Sequence, residues 1–326
     1  MKTLLVTGGC GFIGSNFINI FFRKYTDIRI VNVDTMYYAA DINNVHEDIR
    51  NDQQRYTFVK CDITNLEFVS HILAQYSVDY IVHFAAQSHV QNSFEHSIQY
   101  TRDNILGTHV LLEAVRKYGN IQKMIHMSTD EVYGESSLAA HETKKTEQSL
   151  LFPTNPYAAT KAAAELIVSS YVCSFKLPIV VVRCNNAYGP NQYPEKLIPL
   201  FITQLLKNTP VTIQGTGANV RGFIHVSDVA AAFIVLFEKG AIGEIYNIGC
   251  TEHDEFTVSE IAHKLIGIIK PGDVPDDWIT YIEDRPFNDK RYYICYEKLG
   301  ALGWKPTVPF DTGVLDLVRF FQNKTR

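Results

Sequence analysis

The chain runs to 326 residues, 46% of them hydrophobic and 20% charged, with 30 Lys and Arg against 35 Asp and Glu. That balance suits an ordinary globular protein large enough for two unequal domains, and a net charge of −5 without any basic run argues against nucleic acid or an acidic membrane as partner. No stretch approaches the roughly 18 apolar residues of a membrane span, and the six scattered cysteines, with no C-x-x-C pair, read as reduced, packed thiols rather than disulfides or metal ligands.

The first predicted element is a strand at 3–7, whose apolar run Leu4-Leu5-Val6 leads straight into Gly8-Gly9-Cys10-Gly11-Phe12-Ile13-Gly14. That leaves no room for a leader, so a cytoplasmic protein is expected. A strand, spaced glycines and a helix are what a pyrophosphate needs. Gly8 permits the tight turn, Gly11 lets the backbone close on the phosphates, and Gly14 lets the helix approach the strand. Free N–H groups at the helix start attract the anion, and Phe12 and Ile13 join the turn as candidate contacts. The spacing, G-x-x-G-x-x-G, is one residue longer than the commonest dinucleotide turn. A second strand at 29–33 ends at Asp34, 20 residues beyond Gly14, where a carboxylate would bind ribose hydroxyls. It would repel a 2′-phosphate and no Arg follows it, so NAD is expected over NADP.

A third strand at 56–60 precedes Asp62-Ile63, which would flank the adenine. Strands at 79–84, 123–127 and 179–183 then alternate with helices, the clearest at 104–118 and 156–175. Alternating units with continuous apolar strands point to an α/β fold, a doubly wound parallel sheet covered by helices on both faces. Beyond about residue 187 Gly, Pro and Asn become frequent, and a strand at 244–248 has the composition to rejoin the sheet. Thr257-Val258-Ser259-Glu260 reads as a capping box ahead of Ile261, Ala262, Leu265, Ile266 and Ile269 on one helix face. The chain is expected to divide into 1–186 plus about 229–249, and about 187–228 plus 250–326.

Tyr157-Ala-Ala-Thr-Lys161 places two polar side chains one turn apart on a helix face. A phenol titrates near 10, and bringing it to about 7 takes roughly 4 kcal/mol of preferential stabilisation of the phenolate. An adjacent ammonium and a cationic nicotinamide can supply that. Ser128-Thr129-Asp130-Glu131 follows the 123–127 strand, and open parallel sheets bind ligands at the carboxyl ends of their strands. Taken alone, Asp130-Glu131 also reads as a solvated turn, Thr129 as a cap, and Tyr157/Lys161 as a surface pair. His83 and His126 fall in predicted strands and are expected to be packed. No His, Asp or Glu cluster has metal-ligand spacing, so no metal is expected.

Together, Gly8–Gly14, Thr129, Tyr157 and Lys161 resemble the extended short-chain dehydrogenase/reductase superfamily, and Ser128-Thr129-Asp130-Glu131-Val132-Tyr133-Gly134 is similar to its nucleotide-sugar 4,6-dehydratase branch. His83-Phe84-Ala85-Ala86-Gln87-Ser88-His89-Val90, Pro153–Tyr157, Tyr188-Gly189-Pro190, Pro194–Pro199 and Arg285–Asp289 carry the likeness nearly end to end. The resemblance implies a Rossmann-type fold with a smaller, discontinuous α/β domain for a nucleotide sugar. It also implies a tightly bound, recycled NAD and a homodimer paired through the 104–118 and 156–175 helices. Ala85 and Ala86 would lie beside the cofactor; Ser88, Thr129, Asn186, Glu195, Lys196, Leu197, Arg221, Arg285 and Asn288 would meet the substrate.

The implied reaction is redox-neutral. Tyr157 takes the sugar O4 proton as hydride leaves C4, Glu131 removes the C5 proton, Asp130 protonates the departing C6 hydroxyl, and hydride returns to C6. Such a carboxyl pair needs opposite protonation states. Adjacent strand residues point oppositely, so both reach one sugar only if the backbone turns there. Thr35-Met36, Gln87, Gly222-Phe223 and Phe287-Asn288 depart from the bacterial dTDP-glucose pattern. With Asn191–Pro194 they look more like the eukaryotic-type UDP-glucose 4,6-dehydratases of rhamnose synthesis. UDP-glucose is therefore the expected substrate and dTDP-glucose the alternative, since one methyl is worth only about 1–3 kcal/mol in an apolar pocket. A UDP-sugar 4-epimerase would share the turn and Tyr157/Lys161 without needing Asp130-Glu131, and a non-catalytic NAD-binding protein would need neither.

Overall fold

Twelve strands are present in the structure, a computed structural model that describes residues 1–325. They are β1 (Lys2–Thr7), β2 (Ile28–Asp34), β3 (Tyr56–Lys60), β4 (Tyr80–His83), β5 (Lys123–Met127), β6 (Ile179–Cys184), β7 (Asn186–Tyr188), β8 (Val211–Gln214), β9 (Val220–His225), β10 (Ile245–Ile248), β11 (Glu255–Thr257) and β12 (Ile279–Ile282). Seven of them form one sheet in the order β10-β6-β5-β4-β1-β2-β3, every neighbouring pair parallel. The order reverses between β1 and β4, which opens a crevice at the carboxyl ends of those strands.

The β-branched runs explain this sheet. Leu4 and Val6 join the core on one face and Leu5 the core on the other, so β1 is buried on both sides, as a central parallel strand must be. Helices Phe12–Lys24 and Val226–Lys239 cover the first face through Phe17, Phe21 and Phe233. Helices Leu66–Gln75, Gly107–Tyr118 and Pro156–Phe175 cover the second through Leu73, Leu111, Val115 and Val168. The predicted strands fall within a residue of those observed. The predicted 104–118 helix differs: it opens as a π-helical turn, Thr101–Leu106, before the α-helix begins at Gly107. Such turns often mark functional sites. Here the turn aims Asn104, whose amide bonds the Gln87 backbone at 2.7 and 3.0 Å and donates to Thr160 Oγ1 at 2.9 Å.

A third core gathers Tyr188, Phe201, Val211, Phe223, Ile261, Leu265 and Phe310 beside two small sheets, β11-β9-β7 and β12-β8. The capping box is present. Glu260 N donates to Thr257 Oγ1 at 3.1 Å and Thr257 N donates back to Glu260 Oε2 at 2.7 Å. Ile261, Ala262, Leu265 and Ile266 are buried behind it, and Ile269 only partly. The six cysteines are free thiols, but Cys173 is exposed rather than packed. Among the described residues no helix is long and apolar enough to cross a membrane. Thr257→Ala is expected to cost about 1 kcal/mol, read as a lower urea midpoint at unchanged slope.

Candidate active site

The glycine turn forms the floor of the crevice. Gly8 has φ +71°, and a Cβ there would lie 2.6 Å from Ala85 N; a Cβ on Gly14 would lie 2.3 Å from Gly8 O. Gly11 starts the helix Phe12–Lys24, which no side chain caps and whose first turn holds no carboxylate. Asp34 accepts from Cys10 N at 3.0 Å and from Met36 N at 2.9 Å. Burial pushes its carboxyl up, and the two amides oppose that. Asp62 accepts from Thr64 N and its hydroxyl at 2.9 and 2.8 Å, which turns the chain beside Ile63. Gly8, Gly11, Phe12, Ile13, Gly14, Asp34, Asp62, Ile63, Ala85, Ala86, Tyr157 and Lys161 all line this one crevice, as do Ser88, Glu195 and Lys196. The set fits a dinucleotide: a cradle that side chains would fill, an open helix start, and a carboxylate on the next strand. Tyr37, Tyr38, Gln192 and Tyr193 also line it and were missed, because loop residues carry no periodic signal.

Beyond β5 the backbone turns at once. Thr129 accepts from Glu131 N at 3.3 Å and caps a 3₁₀ turn, Asp130–Tyr133. Gly134, at φ +75°, closes it where a Cβ would lie 2.1 Å from Phe152 O. Asp130 and Glu131 are thus held on one turn, only 1% and 8% exposed, which excludes the solvated-turn reading. Asp130 accepts from the Thr129 hydroxyl at 3.2 Å and from Asn185 Nδ2 at 2.5 Å. Glu131 accepts from Asn155 Nδ2 at 2.9 Å and from the Tyr292 hydroxyl at 3.4 Å. Burial, then the charge of Glu131, pushes Asp130 up to about 7. Burial also raises Glu131, against Asn155 and Arg221. The pair therefore holds a proton near neutral pH.

Asn155 caps the next helix, Pro156–Phe175, accepting from Ala158 N at 2.9 Å while its amide donates to Glu131, so one residue ties the two segments together. Tyr157 is buried. Lys161 Nζ donates to Met127 O at 2.6 Å, and burial lowers it to about 8 against the charge of Glu165. Burial, then Glu131, raises the Tyr157 phenol, with Thr129 opposing. The protein's own groups thus move the phenol up on balance, and a cationic ring in the crevice would move it down.

Of the residues expected to meet the substrate, Lys196 Nζ donates to Ser88 O at 2.6 Å, and Glu195 accepts from the Tyr38 hydroxyl at 2.8 Å. Arg221 donates to Asn288 Oδ1 at 3.0 Å and lies 5.0 Å from the centre of the Tyr292 ring. Arg285 Nε is buried and meets no acceptor among the described residues, and burial together with the Arg221 charge lowers that guanidinium. Two crowded guanidiniums with a spare donor suit a diphosphate. Arg221, Arg285 and Asn288 lie outside the lining of the dinucleotide crevice, as do Thr129, Asp130 and Glu131 behind Tyr157. Asn186 sits on β7 opposite Phe223, and Leu197 opens the helix Leu197–Leu206; neither lines the crevice. His83 and His126 are packed, His83 between the Thr7 and Thr108 hydroxyls. The polar groups that hold the acidic turn, Asn155, Asn185 and Tyr292, were missed as site residues. Only Asn155 carries a local signal, as an Asn ahead of Pro at a helix start.

The GDP-mannose 4,6 dehydratase family profile matches residues 5–317. The chain belongs to this family. One relative is a trifunctional UDP-glucose 4,6-dehydratase/UDP-4-keto-6-deoxy-D-glucose 3,5-epimerase/UDP-4-keto-L-rhamnose-reductase of Arabidopsis thaliana, 44% identical over 98% of this chain and 47% of that protein. The chain thus spans about half the length of that relative. The dTDP-D-glucose 4,6-dehydratase of Mus musculus is 42% identical over 98% of this chain and 89% of its own. Among solved structures, the dTDP-glucose 4,6-dehydratase of Bacillus anthracis in complex with NAD superposes with a TM-score of 0.89 at 38% identity, covering 99% of this chain and 97% of that one. The family therefore has the Rossmann-type sheet found here.

Asp130 is raised in the folded dehydratase-family chain, so the unfolded carboxyl, near about 4, loses its proton first. The stability it contributes is complete below about pH 4 and is lost as pH rises through about 7. Asp130→Asn is therefore expected to melt above the wild type at about pH 8 and to lose that advantage toward about pH 4. Thermal melts across that range check it, and a constant difference would contradict it.

Proposed function

We propose that the chain is an NAD-dependent nucleotide-sugar 4,6-dehydratase, a hydro-lyase that converts UDP-glucose to UDP-4-keto-6-deoxyglucose, with dTDP-glucose as the alternative substrate. The observation that carries this reading is the pair Asp130 and Glu131, buried on one turn against Tyr157. An epimerase returns hydride to the carbon it came from and has no use for such a pair. Thr35-Met36, Gln87, Gly222-Phe223 and Phe287-Asn288 support uracil over thymine, as does the similarity to the Arabidopsis enzyme.

Gly8, Gly11, Phe12, Ile13, Gly14, Asp34, Asp62, Ile63, Ala85 and Ala86 would hold NAD, which supplies a hydride acceptor at C4 and a donor at C6. Thr129 orients the O4 hydroxyl and Tyr157 takes its proton, with Lys161 close by on the same helix face. The C4 ketone acidifies C5, and Glu131 removes that proton. Asp130, raised to about 7 and so able to carry a proton at neutral pH, gives it to the C6 hydroxyl, which leaves as water. Arg221 and Arg285 bind the diphosphate, with Asn288 beside them, and Ser88, Asn186, Glu195, Lys196 and Leu197 line the sugar-nucleotide side. In this reading 1–186 plus about 229–249 carries the cofactor, and about 187–228 plus 250–326 carries the nucleotide.

The same reading makes the protein cytoplasmic and a homodimer. Leu106, just ahead of the helix Gly107–Tyr118, and Leu166, on Pro156–Phe175, are exposed apolar side chains, which supports pairing there. A dimer mass is expected in light scattering, and a monomer would reject the pairing. Incubation with UDP-glucose and dTDP-glucose, without added reductant, is expected to give a product lighter by one water. Unchanged mass would indicate epimerisation, and no product with NAD still bound would indicate a non-catalytic protein. Tyr157→Phe is expected to lower turnover by roughly 100- to 10,000-fold while NAD stays bound.

A further inference from the structure

Arg183 and Glu165 form a buried ion pair to which the proposed reaction gives no role. From β6, Arg183 Nε and Nη2 donate to Glu165 Oε2 at 3.0 and 2.7 Å, between side chains 4% and 3% exposed. Glu165 continues the row Tyr157, Lys161, Glu165 down one face of the helix, each a turn beyond the last. Its charge opposes the lowering of Lys161 by burial. The Arg183 guanidinium also lies 4.7 Å from the centre of the Tyr133 ring. Tyr133 ends the turn that carries Asp130 and Glu131, and its hydroxyl donates to Asn247 Oδ1 at 2.8 Å. Asn247 on β10 faces Arg183 in the sheet register.

Stability alone does not call for such a pair. Desolvating two charges offsets much of their attraction, and apolar residues of similar volume usually fill such a site as well. What an apolar pair lacks is direction. A guanidinium can grip a carboxylate along one edge while its face meets an aromatic ring.

We propose that Glu165 and Arg183 are positioning residues that clamp the Tyr157–Lys161 helix to the Asp130–Glu131 turn, setting the phenol that acts at sugar O4 against the carboxyls that act at C5 and C6. The clamp rests on the dehydratase reading. Both sets of groups address one sugar ring, and a misplacement of about 1 Å costs on the order of 100-fold. Oxidation at C4 draws on Tyr157 and Lys161 of the helix and on Thr129 where the turn leaves β5, whereas loss of water needs the body of the turn, Asp130–Tyr133, in register with them. Loosening the clamp therefore slows water loss selectively.

Stopped-flow absorbance of the reduced nicotinamide, with product mass, separates the two steps. The comparison is between wild type, the double variant Glu165→Met/Arg183→Met, Tyr133→Leu and Tyr133→Phe. The double variant keeps the site filled, and Tyr133→Leu keeps the ion pair, so both are expected to stay folded by circular dichroism. Both are expected to lose water roughly 10- to 100-fold more slowly relative to C4 oxidation, so that reduced cofactor builds up, and Tyr133→Leu, which leaves Glu165 beside Lys161, is expected to keep C4 oxidation within roughly threefold of wild type. Tyr133→Phe keeps the ring against the guanidinium and is expected to restore the wild-type ratio of the two rates. The proposal falls if either folded variant keeps that ratio, or if Tyr133→Phe shifts it as far as Tyr133→Leu does. Loss of fold in both variants assigns the pair to stability and overturns the clamp as well. A wild type that forms no dehydrated product from either sugar nucleotide removes the dehydratase reading, whereas an active wild type with unchanged variants removes the clamp alone.

Discussion

Burying two adjacent carboxyl groups on a single turn is the constraint around which the site is arranged. Had β5 run on past Met127, Asp130 and Glu131 would point to opposite faces of the sheet. The Thr129 cap bends the chain instead, and Gly134 closes the bend where only a residue without a side chain clears the Phe152 carbonyl. Buried carboxyls are costly unless hydrogen-bonded or protonated. Their hydrogen-bond partners here, Thr129, Asn185, Asn155 and Tyr292, are all neutral. Hydrogen bonds keep the pair in the fold, while burial keeps a proton on it near pH 7.

The rest of the site is fitted to that turn. Asn155 caps the helix of Tyr157 with one end of its amide and holds Glu131 with the other, so the phenol and the carboxyl cannot move independently. On the far side, the glycine turn lets the first helix come within contact of β1 and leaves its start without a side-chain cap. The phenol between these two features is raised by burial and by Glu131. A cation received in the crevice would lower such a phenol.

The sequence by itself determined the parallel sheet, the glycine turn, Asp34 at the end of the second strand, the helix over 156–175 and the Thr257 capping box. Each of these is local. Continuous β-branched runs fit a strand buried on both faces, and caps and glycine turns act over three or four residues. Recognition of Ser128–Gly134 as a motif also singled out Asp130 and Glu131, although the residues alone left a solvated turn open. Tertiary structure decided what those groups experience. Asn185 reaches Asp130 across 55 positions of sequence, and Arg183 reaches Glu165 only because β6 lies beside the helix that precedes it. The π-helical turn at Thr101–Leu106 and the contact of Lys161 with the Met127 carbonyl likewise have no period or spacing to announce them. Protonation state depends on burial and on charges brought in from distant strands, so strand order and packing set it, and neither is written in any single segment of the chain.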